Sequence, residues 1–352
     1  MAEQVASTER SAATASAAGS QLDLLAALHD LQRPSPAIYW IDLLASSAAG
    51  WLGFALACTS ASTPVTVAAT VAAIVLLYRA HLFIHELSHA ARHIRGFSTA
   101  WNLVAGLPLL VPSSFAVGVH AAHHRPSTYG TAADPEYLPF GRSRLLIVRF
   151  IFLNLVFPLA MALRFLVIGP IALLVPPLQR LLERRATSLA MNPAYVRNVS
   201  DVEHRVMLRQ QVALLLMWTP VLWLTGSGAI GPRVVLCWAV VATGIALTNG
   251  VRTLGAHRYL ASGNAMDREG QRDDSIDTPG RWWTTIWAPV GHRYHAVHHY
   301  VPGLPYHNLG EAYRRLEASR PPGMSFGDTS PSLLASLAQL WSAASSRRTG
   351  SA

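Results

Sequence analysis

Eight of the chain's fifteen histidines fall in three clusters: His85-Glu86-Leu87-Ser88-His89, His120-Ala121-Ala122-His123-His124 and His295-Ala296-Val297-His298-His299. On a helix, residues four apart share a face, and the three imidazoles of an HxxHH pattern fall within an arc of about 100°. Each cluster can therefore aim its nitrogens at one point, as a multi-histidine metal site requires. Imidazole suits iron, copper, nickel and zinc, so ligand type alone does not name the metal. Number narrows the choice. Eight or nine neutral histidines exceed the roughly four to six positions around one ion and suit two. A pair of redox ions held without thiolates points to iron used with dioxygen. Cys58 and Cys237 stand alone in apolar stretches and offer neither a disulfide framework nor a thiolate site.

The elements that must position these clusters are membrane helices. Only 13% of the 352 residues are charged and 51% are hydrophobic, against roughly 25% charged in ordinary soluble domains. The net charge of +9 does not point to nucleic acid, because the basic residues flank hydrophobic runs, where arginine reads as topology and contact with anionic headgroups. A bilayer core of about 30 Å needs about 20 apolar residues in a helix. Residues 41–58, 64–84, 207–225 and 234–253 meet or approach that length. The first two are joined by the uncharged residues 59–63 and the last two by the Gly/Pro loop 226–233, which makes two transmembrane hairpins. Residues 103–119 are interrupted by Pro108 and Pro112. Residues 145–178 carry Arg149, Pro158, Arg164 and Gly169-Pro170, and are expected as a broken or in-plane helix pair. The arginine-rich residues 180–209 and Arg142-Ser143-Arg144 belong in the cytosol by the positive-inside rule. The expected fold is an all-α polytopic membrane protein, with two transmembrane helical hairpins, in-plane or re-entrant helices and a cytosolic histidine-rich cap. The membrane domain runs over 36–317, after a disordered tail of residues 1–35 and before a largely disordered tail of 318–352 that holds one short amphipathic helix at 333–343. Both termini and the metal site are expected on the cytosolic side.

The three boxes, their order and their placement resemble the membrane fatty acid desaturase and hydroxylase superfamily, from about residue 40 to 317. His85-Glu86-x-x-His89, Asn102-Leu103, the Pro108 to Pro112 run, His120-x-x-His123-His124-Arg125, Thr128 and Asp134-Pro135-Glu136-Tyr137 are similar to one continuous desaturase block. His295-x-x-His298-His299, with Pro302 and Leu304-Pro305-Tyr306-His307-Asn308-Leu309, is similar to the family's last block. The resemblance implies a cytosolic di-iron centre on His85, His89, His120, His123, His124, His295, His298 and His299. It adds His257 near the end of the last span, with Asn249 and Thr253 placed to hold a metal-bound water. It implies an oxidoreductase that introduces a double bond into a fatty acyl chain carried on lipid, coenzyme A or carrier protein, with a lipid or carotenoid hydroxylase as the alternative on the same site. Dioxygen is the co-substrate. With no cysteine cluster or fused haem domain in sight, electrons must come from a separate ferredoxin-like or small haem protein, for which a basic cytosolic face is suited.

The remaining histidines have blander expectations. His81 and His93 extend the first box into a ladder spaced by four, so the ligand pair could shift by one turn, but Glu86 favours His85 and His89. His292 and His307 are expected to hydrogen-bond beside the last box, and Asp134 and Glu136 to fix histidine tautomers. His29 and His204 are expected on solvated surface, and Arg125, Arg252 and Arg258 at the headgroup rim. Two other classes compete. His85-Glu86-x-x-His89 also spells an intramembrane zinc metalloprotease with Glu86 as base, although acidic candidates for a third ligand such as Asp267 lie in a polar loop and two boxes are left unused. A metal carrier would line mid-membrane with ligands, whereas these clusters lie at span ends.

Overall fold

The computed structural model describes residues 26–187, 191–319 and 328–346. Helices α1 (Pro36–Thr59) and α2 (Thr63–His81) each carry proline in the first turn, where its missing N–H breaks no helical bond. After a turn at Leu82 the chain resumes as α3 (Phe83–Leu87). Helix α4 (Phe97–Trp101) runs into a π turn at Asn102–Gly106, and α5 (Ser113–His123) follows. Helix α6 (Arg144–Ala162) continues through a second π turn, Leu163–Ile168, into α7 (Gly169–Leu174). Then come α8 (Pro176–Arg185), α9 (Asp201–Gly226) and α10 (Pro232–Leu254). The cap beyond them consists of α11 (Arg268–Asp274), β1 (Ile276–Asp277), α12 (Thr284–Trp287), α13 (His295–Tyr300), α14 (Leu309–Ala318), β2 (Asp328–Thr329) and α15 (Leu333–Ser346). Strands β1 and β2 pair in parallel, with Ile276 opposite Asp328.

Among the described residues, five helical runs are long and apolar enough to cross a membrane: Pro36–Thr59, Thr63–Leu87, Arg144–Leu174, Asp201–Gly226 and Pro232–Leu254. Leu52, Leu159, Leu216 and Trp223 on these runs are about 70% exposed, a surface that suits lipid and not water. The third run is unbroken where a broken pair was one of the two expected arrangements. It is one helical stretch of 31 residues. Arg164 does not interrupt it, because the side chain turns inward and its guanidinium lies 5.1 Å and 4.6 Å from the rings of Phe115 and Phe165, and the π turn absorbs the local misfit.

The interrupted run after α4 does break, and the break is held by three other helices. The indole N–H groups of Trp51 on α1, Trp218 on α9 and Trp238 on α10 donate to the carbonyls of Val104, Leu107 and Pro108 at 2.8, 2.9 and 3.0 Å. Asn102 closes the same turn, accepting from the Ser113 N–H at 2.9 Å and donating to Ser113 Oγ at 2.8 Å. Irregular backbone at membrane depth needs such internal partners.

At the opposite end from the histidines, Arg233 at the start of α10 donates to the carbonyls of Ala57 and Ser60 at 2.8 and 2.5 Å. This ties the α9–α10 turn to the α1–α2 turn. Residues 26–35, which sequence places in the leading tail, are docked where described: Leu28 and Leu31 are buried against Val297, Leu304, Leu309 and Leu316, and Asp30 pairs with Arg315 at 2.7 Å. Helix α15, in the expected trailing tail, buries Leu340 and Ala344. The rest of both expected tails, residues 1–25, 320–327 and 347–352, lies outside the described residues.

Helices α1 and α2 approach closely through small residues. A Cβ added at Gly53 would stand 3.1 Å from the Ala69 carbonyl oxygen and 3.3 Å from the Ala73 nitrogen, and backbone atoms cannot step aside as side chains do. Gly53→Val is expected to destabilise the fold by about 1–3 kcal/mol, read as a lower unfolding temperature in detergent. Gly228→Ala, at a position with open space around it and a φ of +80°, should cost only the local backbone strain.

Candidate metal centre

Four chain segments bring the histidines together. The run of α2 and α3 ends at the first box, α5 ends in the second, α10 gives way to His257, and α13 is the third. Helix α13 has only six residues, too few to persist alone. Its start is fixed by Asp277, whose Oδ1 accepts from the N–H groups of Ala296 and Val297 at 2.8 and 3.4 Å. His257 lies in a bridge to Ser275 that joins the end of α10 to the cap.

The histidines form two adjoining nests. One nitrogen from each of His85, His89, His120 and His298 lies within 4.8 Å of the others, and the same holds for His123, His257 and His299. His124 joins the first nest, its Nε2 being 3.0 Å from Nε2 of both His120 and His298. His295 joins the second, its Nε2 being 3.0 Å from Nε2 of His257 and 3.2 Å from that of His299. The nests share a wall, where the His124 and His299 rings stack with centroids 4.4 Å apart.

Hydrogen bonds on the far side of the rings decide what these close contacts mean. His120 Nδ1 faces Glu136 at 2.7 Å and His123 Nδ1 faces Asp134 at 2.9 Å. His257 Nδ1 lies 3.0 Å from the Tyr129 hydroxyl, which itself donates to Asp274 at 2.8 Å. His299 Nδ1 faces Gln271 Oε1 at 3.4 Å. These acceptors hold the proton on Nδ1 and leave Nε2 as a bare lone pair aimed inward. His295 Nε2 touches two such lone pairs, and a single proton cannot relieve both contacts. The Nε2 of His89 is buried with no hydrogen-bond partner among the described residues. Two nitrogens bound to one ion at about 2.0–2.1 Å stand about 3.0–3.4 Å apart at ordinary ligand angles. The observed spacings therefore fit a cation in each nest, where facing lone pairs become shared ligands.

Electrostatics favour the neutral form that ligation requires. Burial, reinforced by the neighbouring imidazoles or Arg252, depresses His89, His124, His257, His292, His295, His298 and His299 well below the usual histidine value. For His123 burial acts in the same direction, but Asp134, Glu136 and Asp274 outweigh it and raise the ring. Burial pushes Asp274 up to about 6 and Asp277 up to about 7 against the N–H groups that stabilise their charge.

Other sequence candidates are distributed unevenly. Glu86 turns away from the histidines: the Tyr39 hydroxyl donates to its Oε2, and the Tyr306 N–H approaches at 3.4 Å. This removes the base that a zinc protease would need. His81 is buried beside the centre, whereas His93 is exposed and accepts from Arg92. His292 is buried, bonds through Nδ1 to the Pro289 carbonyl at 2.9 Å, and lies 4.5 Å from the His85 ring. His307 is remote, accepting from the Ser35 N–H at 3.1 Å. His29 is exposed, but His204 is held between both oxygens of the buried Glu183 at 2.8 Å. Asn249 and Thr253 accept from Arg252 at 3.1 and 3.0 Å and line a cavity of about 90 Å³ beside the rings. Sequence reasoning missed Tyr129, Gln271, Asp274, Ser275 and Asp277. The acidic pair Asp273-Asp274 shortly after His257 was the available signal.

Comparison with known proteins places this geometry. Residues 60–329 match the family model described as fatty acid desaturase. Over 290 residues the chain is 39% identical to a ceramide hydroxylase of Caulobacter vibrioides (strain NA1000 / CB15N), covering 82% of this chain and 83% of that protein.

The depressed imidazoles make a pH prediction. Below about 6.5 the unfolded chain takes up protons that the folded rings refuse, so stability falls with falling pH. His123 and the raised carboxyls of Asp274 and Asp277 act in the opposite direction, three groups against seven rings. The metal-free protein should melt at a lower temperature at about pH 5.5 than at about pH 7.5, measured by differential scanning fluorimetry. An unchanged melting temperature would contradict a neutral cluster.

Proposed function

The chain belongs to the fatty acid desaturase family, and from that premise we propose that it is an oxygen-dependent hydroxylase of a ceramide-like membrane lipid, with iron held by His85, His89, His120, His124 and His298 in one nest and His123, His257, His295 and His299 in the other. The single observation that carries the reading is the meeting of nine imidazoles in two adjoining nests. Choice of hydroxylation over desaturation is supported by the relative's name. Iron in both nests would supply the oxidising power against an unactivated C–H bond that no acid or base side chain has.

The chain's own residues contribute placement. Glu136 and Asp134 keep the protons of His120 and His123 on Nδ1, and Tyr129 with Asp274 does the same for His257. The cavity bordered by His85, His120, His257 and His295 receives the carbon to be oxidised, and the apolar Leu82, Ile84 and Ala256 on its wall pack against the lipid chain. Hydroxylation consumes one dioxygen, two protons and two electrons per lipid, leaving one oxygen atom in the product and one as water. The electrons come from a separate ferredoxin-like or small haem protein. The groove lined by Arg180, Arg184 and Arg185 on α8 is a docking face for an acidic donor, and the positive-inside rule sets this face and the metal centre in the cytosol.

Desaturation is the second reading, favoured by the family match and by the first two boxes with Asp134-Pro135-Glu136-Tyr137. Expression in a host with a simple lipid profile separates the two by mass spectrometry: hydroxylation adds one oxygen atom, and desaturation removes two hydrogens. The purified protein should carry two irons per chain by elemental analysis, and stoichiometric zinc would instead favour a hydrolase. His124→Ala should lose iron and at least about 100-fold in turnover, as the neighbour of both nests; retained activity would count against the ligand assignment. Asp134→Asn should weaken iron binding about 10–100-fold with the fold intact.

A further inference from the structure

The cavity beside the histidines has an unusual lining for a site that handles hydrocarbon. Its volume is about 90 Å³, below the roughly 300–1,000 Å³ of pockets that enclose a whole small-molecule ligand. It therefore accommodates a few atoms of a lipid at a time. Among those that border it are Glu136, Asn249, Arg252, Thr253 and His292. Arg252 spends one nitrogen on Asn249 Oδ1 and Thr253 Oγ1, which fixes the guanidinium, and its Nε is buried without a hydrogen-bond partner among the described residues. Glu136 uses Oε2 on His120, and its Oε1 is likewise buried and unpartnered.

One uncommitted donor and one uncommitted acceptor on the wall of one cavity have a defined complement. An aliphatic chain would leave both unsatisfied, with their desolvation uncompensated. A carboxylate would satisfy Arg252 but face Glu136. A neutral group that both accepts and donates, an amide or a hydroxyl, satisfies the pair. Contact with the centre limits reach: Glu136 Oε2 lies 2.7 Å from Nδ1 of His120, so a group bonded to its other oxygen stands one hydrogen bond, one carboxylate and one imidazole ring from the first nest, about 7 Å.

Resting on the hydroxylase reading above, we infer that Arg252 and Glu136 seat an amide or hydroxyl of the lipid in this cavity. The carbon presented to the histidines then lies within about five bonds of that polar group, near the headgroup end and not in the middle of an acyl chain. Arg252 is thus a substrate-binding residue that determines where the lipid is oxidised.

The test uses three probes built from 18-carbon chains, N-octadecanoyl sphinganine with two and octadecanoic acid and octadecane with one each, added to the protein in phosphatidylcholine nanodiscs. Binding is read first, as the rise in melting temperature. N-octadecanoyl sphinganine should stabilise the wild type more than either other probe. Arg252→Met should erase that preference, and Arg252→Lys, which keeps the charge but not the fork, should retain part of it. Product position is read second, by tandem mass spectrometry of lipid from cells expressing each form. Oxidation should fall within about five bonds of the amide or a hydroxyl, and Arg252→Met should reduce it about tenfold at unchanged iron content. Equal stabilisation by octadecane, or a product oxidised in mid-chain, would overturn the inference while leaving a lipid oxidase in place. An iron-loaded wild type that oxidises no lipid would remove the hydroxylase reading, and the binding preference would still decide the role of Arg252.

Discussion

Facing lone pairs are the constraint around which this molecule is organised. Neutral imidazoles packed nitrogen to nitrogen at 3.0–3.2 Å repel unless a cation lies between them. The fold holds them there by burial, which disfavours protonation, and by fixing the opposite ring nitrogens on Glu136, Asp134, Tyr129 and Gln271. Carboxylates in this arrangement stand one bond back from the histidines. The charge of any bound cation is therefore offset through the rings and not by direct carboxylate ligation.

Such an arrangement needs a rigid support, and the helices supply it in two places. Away from the histidines, Arg233 joins the two helix-pair turns. Between the turns and the histidines, three indoles from α1, α9 and α10 converge on the broken segment after α4. Each indole satisfies a carbonyl, and together they tie three long helices to the segment that leads into α5 and its box. The break serves as a joint between the membrane helices and the second histidine cluster.

Most of the candidate centre was legible in the sequence, because imidazole spacing is a local property and the boxes keep their ligand geometry within one or two helical turns. Asp134 and Glu136 were legible for the same reason, lying eleven and sixteen residues from the rings they hold. What escaped was set by distant packing. Asp274 is hydrogen-bonded to His257 through Tyr129, 145 residues before it, as well as lying 3.8 Å from the ring itself, and no spacing rule connects Tyr129 with either. Glu86 looked like part of the site by proximity to His85, yet helical geometry points it to the opposite face, toward Tyr39. The continuity of the helical run around Arg164 was not legible because a charged residue and a proline in an apolar segment normally argue for interruption. The aromatic seat that Phe115 provides lies on another helix. Likewise Leu28 and Leu31 belong to a composition typical of tails but find their partners near residue 300.

The division of the histidines between the nests bears on biosynthesis. Each nest draws on the second box and on the third, and α13 is a six-residue helix that needs Asp277 to start it. Neither nest can therefore close while the chain is still emerging from the ribosome with residue 299 untranslated, however early α1 and α2 enter the bilayer. Any ion that the two nests take up must therefore arrive after the membrane helices are in place and the third cluster has been made.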